Sequence, residues 1–234
     1  MSVPRGVSAP RWAPEVVEVI GRFTAASNAT LLATTADGER VIYKPVAGEA
    51  PLWDFPPDSL AVREVLTYEA SRALGFDVVP ETVWGSGPFG PGAVQRFVDD
   101  APDFDAFALV RSCDPTLWPV AVLDVVCNNA DRKLGHLVGS GDRLWAIDHG
   151  LTFHPEDKLR TVLWGFAGQP LPEAMDGALD RFVAAVDGKF GNRLASGLGA
   201  AERSAARDRA AALRRVGHHP HPPDDRPAVP WPPY

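Results

Sequence analysis

Residues 128–150 begin Asn128-Asn129-Ala130-Asp131-Arg132-Lys133-Leu134-Gly135-His136 and end Arg143-Leu144-Trp145-Ala146-Ile147-Asp148-His149-Gly150. The apolar run Leu117 to Cys127 before them has helical character, and the asparagines stop it. Gly135 to Val138 and Arg143 to Asp148 then form a hairpin-like pair turned by Gly139-Ser140-Gly141-Asp142. Asp131 and Asp148 stand seventeen residues apart at the two ends of this unit. A short hairpin between two such aspartates brings both carboxylates to one edge of a cleft. There one can orient an attacking hydroxyl while the other ligates a divalent cation. Each aspartate alone is an ordinary turn residue, so its meaning depends on the rest of the chain.

Upstream, Glu18 to Phe23, Leu31 to Thr35 and Arg40 to Lys44 read as a three-stranded meander, with Asp37-Gly38 at its second turn. Leu60, Val62, Val65, Leu66, Ala70, Ala73 and Leu74 recur at helical spacing and Gly75 is a suitable stop, which predicts a helix over 60–74. Two β-like runs follow, Val78 to Val83 and Ala93 to Val98, with the glycine- and proline-rich Gly85 to Gly92 between them. Downstream, helices are expected over Phe104 to Arg111, 173–186 and 198–215. The chain thus divides into an N-terminal extension (1–14), a small β-rich lobe (15–98), a helical lobe (99–217) and a proline-rich tail (218–234). The tail is either a loose polyproline segment or a strap docked through Trp231 and Tyr234.

Four features fall where phosphoryl transfer needs them. Lys44 ends a strand, where its ammonium can stand beside nucleotide phosphates. Glu64 and Glu69 lie on the next helix, and either can hold that lysine. Asp131 and Asp148 complete the set.

The segments Val41-Ile42-Tyr43-Lys44-Pro45, Arg63-Glu64-Val65, Val94-Gln95-Arg96-Phe97-Val98, Asn129-Ala130-Asp131-Arg132-Lys133 and Ala146-Ile147-Asp148-His149-Gly150, in this order, resemble the atypical kinases built like phosphoinositide kinases and the HipA-type protein kinases. More narrowly, the Ser-Asn-Ala-Thr loop, the Tyr-Lys-Pro-Val strand end and the Pro-Leu-Trp-Asp-Phe-Pro segment are similar to an actinobacterial phosphoinositide-kinase-like group. The resemblance spans roughly residues 18–165. It implies an α+β, two-lobed protein-kinase-like fold, with a small antiparallel β lobe and a mainly helical lobe, that binds ATP and Mg²⁺ or Mn²⁺ between them. Position by position, it implies that Lys44 contacts the phosphates and Glu64 pairs with Lys44. Gln95, Arg96, Phe97 and Val98 would form a hinge offering backbone hydrogen bonds to adenine, Asp131 would be the catalytic-loop aspartate with Arg132 after it, these two and Lys44 forming the expected catalytic set, and Asp148 would hold the metal.

Two departures stand out. The metal-binding asparagine of the related loops falls five residues after the aspartate, where this chain has His136, so the expected metal pair is Asp148 and His136, with either a Mn²⁺ preference or a single-metal site. The phosphate loop lacks glycine, so the side chains of Ser27, Asn28 and Thr30 would serve as donors. Two other classes remain open: a nucleotide-binding pseudokinase, and a metal-dependent hydrolase using His136, His149, His154 and the two aspartates.

Composition narrows the partners. With 23 Lys+Arg against 30 Asp+Glu the net charge is −7, unsuited to a nucleic-acid coat. No apolar run is long enough for stable membrane insertion, and no polybasic cluster suits an anionic bilayer. Cys113 and Cys127 fit neither a disulfide framework nor a zinc spacing. The expected setting is cytoplasmic, and the expected acceptor is a hydroxyl of a protein Ser or Thr, the chain itself included, or of a small polar metabolite.

Overall fold

In the computed structural model, which describes residues 12–24 and 28–234, alternating apolar residues build one antiparallel sheet. The strands are β1 (Val16–Arg22), β2 (Leu31–Thr35), β3 (Arg40–Pro45), β4 (Thr82–Gly87) and β5 (Gly90–Arg96), in the order β1-β2-β3-β5-β4. The predicted Ser27 donor and nearly all of the predicted extension lie outside the described residues. Leu31, Ala33, Val41, Tyr43, Val83 and Val94 make the core on one face. The period of two turns Lys44 to the other face, where its register partner Ala93 packs on Ala61 and Val65.

The last two strands differ from the expected ones. Val78 and Val79 are buried outside any strand, while the glycine-rich 85–92 stretch is itself a tight hairpin, with Gly87 opposite Gly90. Gly92 shows why glycine is used here: a Cβ would lie 2.2 Å from Lys44 O and 2.7 Å from Pro45 Cα. Gly92→Ala is expected to lower stability by about 1–3 kcal/mol through forced separation of β3 from β5. A urea midpoint equal to the parent's would contradict this.

The helix α1 (Leu60–Leu74) has the predicted bounds and ends on Gly75 at φ 78°. It is buried on more than one side because Ala61 and Val65 meet the sheet while Leu66, Ala70 and Leu74 enter the helical core. That lobe contains α2 (Ala106–Ser112), α3 (Trp118–Cys127), α4 (Glu173–Val186), α5 (Lys189–Gly197), α6 (Ala200–Val216) and the hairpin β6 (Leu137–Ser140) and β7 (Arg143–Ala146). Its centre is Leu123, Val126, Leu163, Leu179, Phe182 and Leu194. Two glycines weaken the sequence signal of α5, which is held instead by burial of Phe190 and Leu194 one turn apart.

The tail is a strap, yet not through its aromatics: Trp231 and Tyr234 are 86% and 77% exposed. Docking runs through the buried His219 and through backbone bonds, Leu134 N to Pro233 O (2.8 Å) and Thr161 N to Ala228 O (3.0 Å). The Trp164 Nε1 donor also reaches Ala228 O at 2.7 Å. No helix among the described residues is long and apolar enough to cross a membrane.

Candidate active site

Sheet pairing delivers Lys44 to the cleft and α1 delivers Glu64, whose Oε1 accepts a hydrogen bond from Lys44 Nζ. The same ammonium donates to Asp148 Oδ1 at 2.9 Å. Glu69, the other helix candidate, is taken by Arg193 of α5 at 2.7 Å. Burial alone would lower the Lys44 pKa, but the charges of Asp148 and Glu64 outweigh it and hold the ammonium above its ordinary value. Glu64 is raised, because its burial outweighs the favourable Lys44 charge. Asp148 is held far below the carboxylate range by Lys44, against the desolvation of the cleft.

Asp148 has φ 59°, a left-handed conformation that Asp tolerates better than most residues and that is concentrated at functional sites. The next residue, His149, is fully buried. Its backbone N–H donates to Glu64 Oε2 at 2.9 Å, and its ring Nε2 accepts from Arg132 Nη2 at 2.7 Å. This imidazole joins the segment after β7 to the loop that follows α3.

Arg132 is 0% exposed and clamps Asp124 from two nitrogens, Nε to Oδ2 and Nη2 to Oδ1, both at 3.0 Å. A third nitrogen, Nη1, donates to Ile147 O at 2.9 Å. Arg132 is therefore wholly engaged by internal partners, whereas the sequence expectation gave it a place beside the substrate. Asp124 also accepts from Asn129 Nδ2 (2.9 Å), and Asn129 Oδ1 accepts from the Asp131 backbone N–H (3.0 Å). Asp124 escaped the sequence reading, although one carboxylate inside Val120-Ala121-Val122-Leu123-Asp124-Val125-Val126 is itself a signal of a buried partner.

Asp131 Oδ2 pairs with Lys133 Nζ at 3.1 Å. Burial raises the Asp131 carboxyl, a direction that favours taking a proton from a hydroxyl. His136 Nε2 lies 3.4 Å from Asp148 Oδ2. Burial, aided by Arg132, Lys44 and Lys133 and opposed by Asp148, pushes its pKa down to about 4, so the pair is imidazole and carboxylate, not two ions. Its Nδ1 is buried with no hydrogen-bond partner among the described residues.

A carboxylate beside a neutral imidazole fits a divalent cation that accepts one nitrogen donor, a set better matched to Mn²⁺ than to the harder Mg²⁺. The described residues assemble no group of three or more His, Cys, Asp or Glu around a metal position. The hydrolase cluster is not formed: His149 is spent on Arg132, and His154 Nε2 faces Asp54 O at 3.0 Å.

On the hinge, Arg96 N and Phe97 N already donate to Glu81 O (2.9 Å) and Arg40 O (3.3 Å). The Arg96 side chain leaves the cleft face to pair with Glu39 and Glu81 and to lie over Trp12. These two N–H groups are thus unavailable to adenine, which corrects the expected donor set. Gln95 shares the Lys44 face, with its amide on Thr82 Oγ1 (2.8 Å), and Val98 N is left without an internal partner among the described residues. Of the two described donor candidates before β2, Asn28 accepts through Oδ1 from Ala50 N (2.8 Å), and Thr30 O accepts from Phe23 N (3.0 Å).

An antiparallel lobe presenting a lysine held by a helix glutamate, set against a helical lobe whose hairpin separates two aspartates, is the protein-kinase-like fold. Solved structures share it: the Helicobacter pylori proinflammatory kinase CtkA has a TM-score of 0.54 at 13% identity, over 88% of this chain and 95% of that one. The Golgi casein kinase gives 0.54 at 14% identity (87% and 70% covered), and hydra Fam20 gives 0.53 at 11% (87% and 83%). The chain belongs to the family of Protein Rv2133c of Mycobacterium tuberculosis strain H37Rv. The two are 38% identical over an alignment of 253 positions, gaps included, covering 92% of this chain and 91% of the relative. No protein-family model matches.

Proposed function

We propose that this protein is an ATP-dependent phosphotransferase of the phosphoinositide-kinase-like and HipA-like kind, moving the γ-phosphoryl of ATP to a hydroxyl. The observation that carries this is Lys44 Nζ bound at once to Glu64 of α1 and to Asp148 after the hairpin, which joins the two lobes at one charge. The β lobe (15–98) holds nucleotide and the helical lobe (99–217) performs the transfer. Lys44 neutralises phosphate charge, and Glu64 keeps it from swinging away. Asp131 orients the acceptor hydroxyl and takes its proton. Asp148, with His136, would hold Mg²⁺ or Mn²⁺, which when bound supplies further neutralisation of phosphate charge. Gln95 and Val98 line the adenine side, and Asn28 with Thr30 shapes the phosphate loop.

The acceptor we favour is a protein Ser or Thr, the chain itself included, or a small polar metabolite, since a −7 chain is poorly matched to an anionic lipid surface. Two free cysteines, Cys113 and Cys127, suit a reducing cytoplasm. The test is incubation of the purified protein with γ-labelled and, separately, α-labelled ATP in Mg²⁺ or Mn²⁺. Label from the γ position on protein or phosphate supports the reading. Retained α-label would mean nucleotidyl transfer, and nucleotide binding without turnover would mean a pseudokinase.

His136→Asn is expected to shift the ratio of initial rates towards Mg²⁺ by about tenfold, because an amide oxygen is a harder ligand than imidazole nitrogen. The same Mg²⁺ to Mn²⁺ ratio in parent and variant would remove His136 from the metal site.

A further inference from the structure

The C-terminal strap crosses the ends of α3 and α6, and between them lies a cavity of about 650 Å³. Its walls include Val125, Leu159, Trp164, Leu213 and Val216, and none of the cleft residues lines it. The size and apolar lining are those of a small-molecule site. Three charged residues also line it: Asp157, Arg209 and Arg226. Arg226 Nη2 pairs with Asp157 at 2.7 Å, while Arg209 has no carboxylate within ion-pairing distance among the described residues, Asp157 and Asp208 acting on it only from farther away.

Arg209 Nε donates to Val126 O (3.1 Å) and Nη1 to His154 O (3.2 Å), whereas Nη2 is buried with no partner and no carboxylate pairs with the guanidinium among the described residues. Burial lowers its pKa to about 10, so it stays charged at neutral pH. A second lining residue, His219, is 1% exposed and boxed by Trp118, Trp164 and Phe166. Its Nδ1 donates to Pro220 O (3.0 Å), so the buried, unpartnered Nε2 is an acceptor and the donor to an anion is Arg209 alone. A half-buried guanidinium with one buried N–H group unpaired is unfavourable, and an anion accepting from that group removes the penalty.

We infer that this cavity binds a small amphipathic carboxylate, its apolar body against Trp164 and Leu213 and its carboxylate accepting from the unpaired Arg209 Nη2. The inference does not depend on the phosphotransfer reading. Occupancy would bear on the catalytic loop, because Arg209 holds the last turn of α3 and the same His154 carbonyl that accepts from Asn128 Nδ2 (2.8 Å).

Calorimetric titration of the full chain with octanoate, 1-octanol and octylamine tests it. Octanoate is expected to bind saturably at one site and about tenfold or more tighter than either analogue, the ratio that one charge-assisted contact gives. Arg209→Gln is expected to erase that preference. Ala212→Phe, which fills the cavity and keeps every Arg209 hydrogen bond, is expected to abolish binding without lowering the melting temperature. Equal affinity for octanoate and octanol, parental binding by Ala212→Phe, or no saturable heat from octanoate at millimolar concentration would each overturn the inference.

Discussion

Asp148→Asn is expected to reduce phosphoryl transfer by roughly 10³-fold or more, the scale on which preorganised charge at a transferring group acts. The carboxylate donates no proton and fills no core. Its side chain is 43% exposed, one oxygen on Lys44 and the other towards His136. Asparagine is preferred to alanine because it also tolerates the φ of 59° at this position, so backbone strain does not confuse the result. Lys44 keeps Glu64 as its partner, and the melting temperature should stay within a few degrees of the parent. The comparison is γ-label transfer by parent and variant at equal folded concentration. Residual activity above about a tenth of the parent's would place the metal-side carboxylate elsewhere.

Asp124→Ala is expected to have the largest effect on stability, about 3–5 kcal/mol, because it leaves the wholly buried Arg132 charged and unpaired. Activity should fall with it, since Asp124 also holds Asn129, which in turn holds the Asp131 backbone. Urea unfolding measures the first effect. A loss below about 1 kcal/mol would mean that water reaches Arg132 and satisfies it. The double variant Asp124→Leu, Arg132→Met removes both charges and should be far less destabilised than Asp124→Ala alone. If it also recovers no activity, the pair serves to place the catalytic loop and not merely to hold the lobe together.

Much of this architecture was legible locally. The helix over 60–74 follows from its apolar spacing and Gly75. The meander follows from alternation and Asp37-Gly38, and the hairpin between the two aspartates from its glycine-rich turn. The β4–β5 hairpin was misplaced because glycines and prolines usually mark loops, whereas here Gly92 is needed for the approach of β3. The helix α5 was missed for a related reason, since its stability comes from burial and not from propensity. Arg132 was read as catalytic because its neighbour Asp131 has the right context. Burial is not a property of a motif.

Turn chemistry and hydrophobic period act over a few residues, and they suffice to place strands, helix, hairpin and aspartates in order along the chain, with the resemblance adding Glu64 as the partner of Lys44. The fold alone shows that Glu69 goes to Arg193, that Asp124 and His149 take up Arg132, and that the strap docks by backbone and His219 instead of Trp231. Each of these is a choice among partners distant in the chain, made by which side chains lose their water together, and no local pattern carries that information.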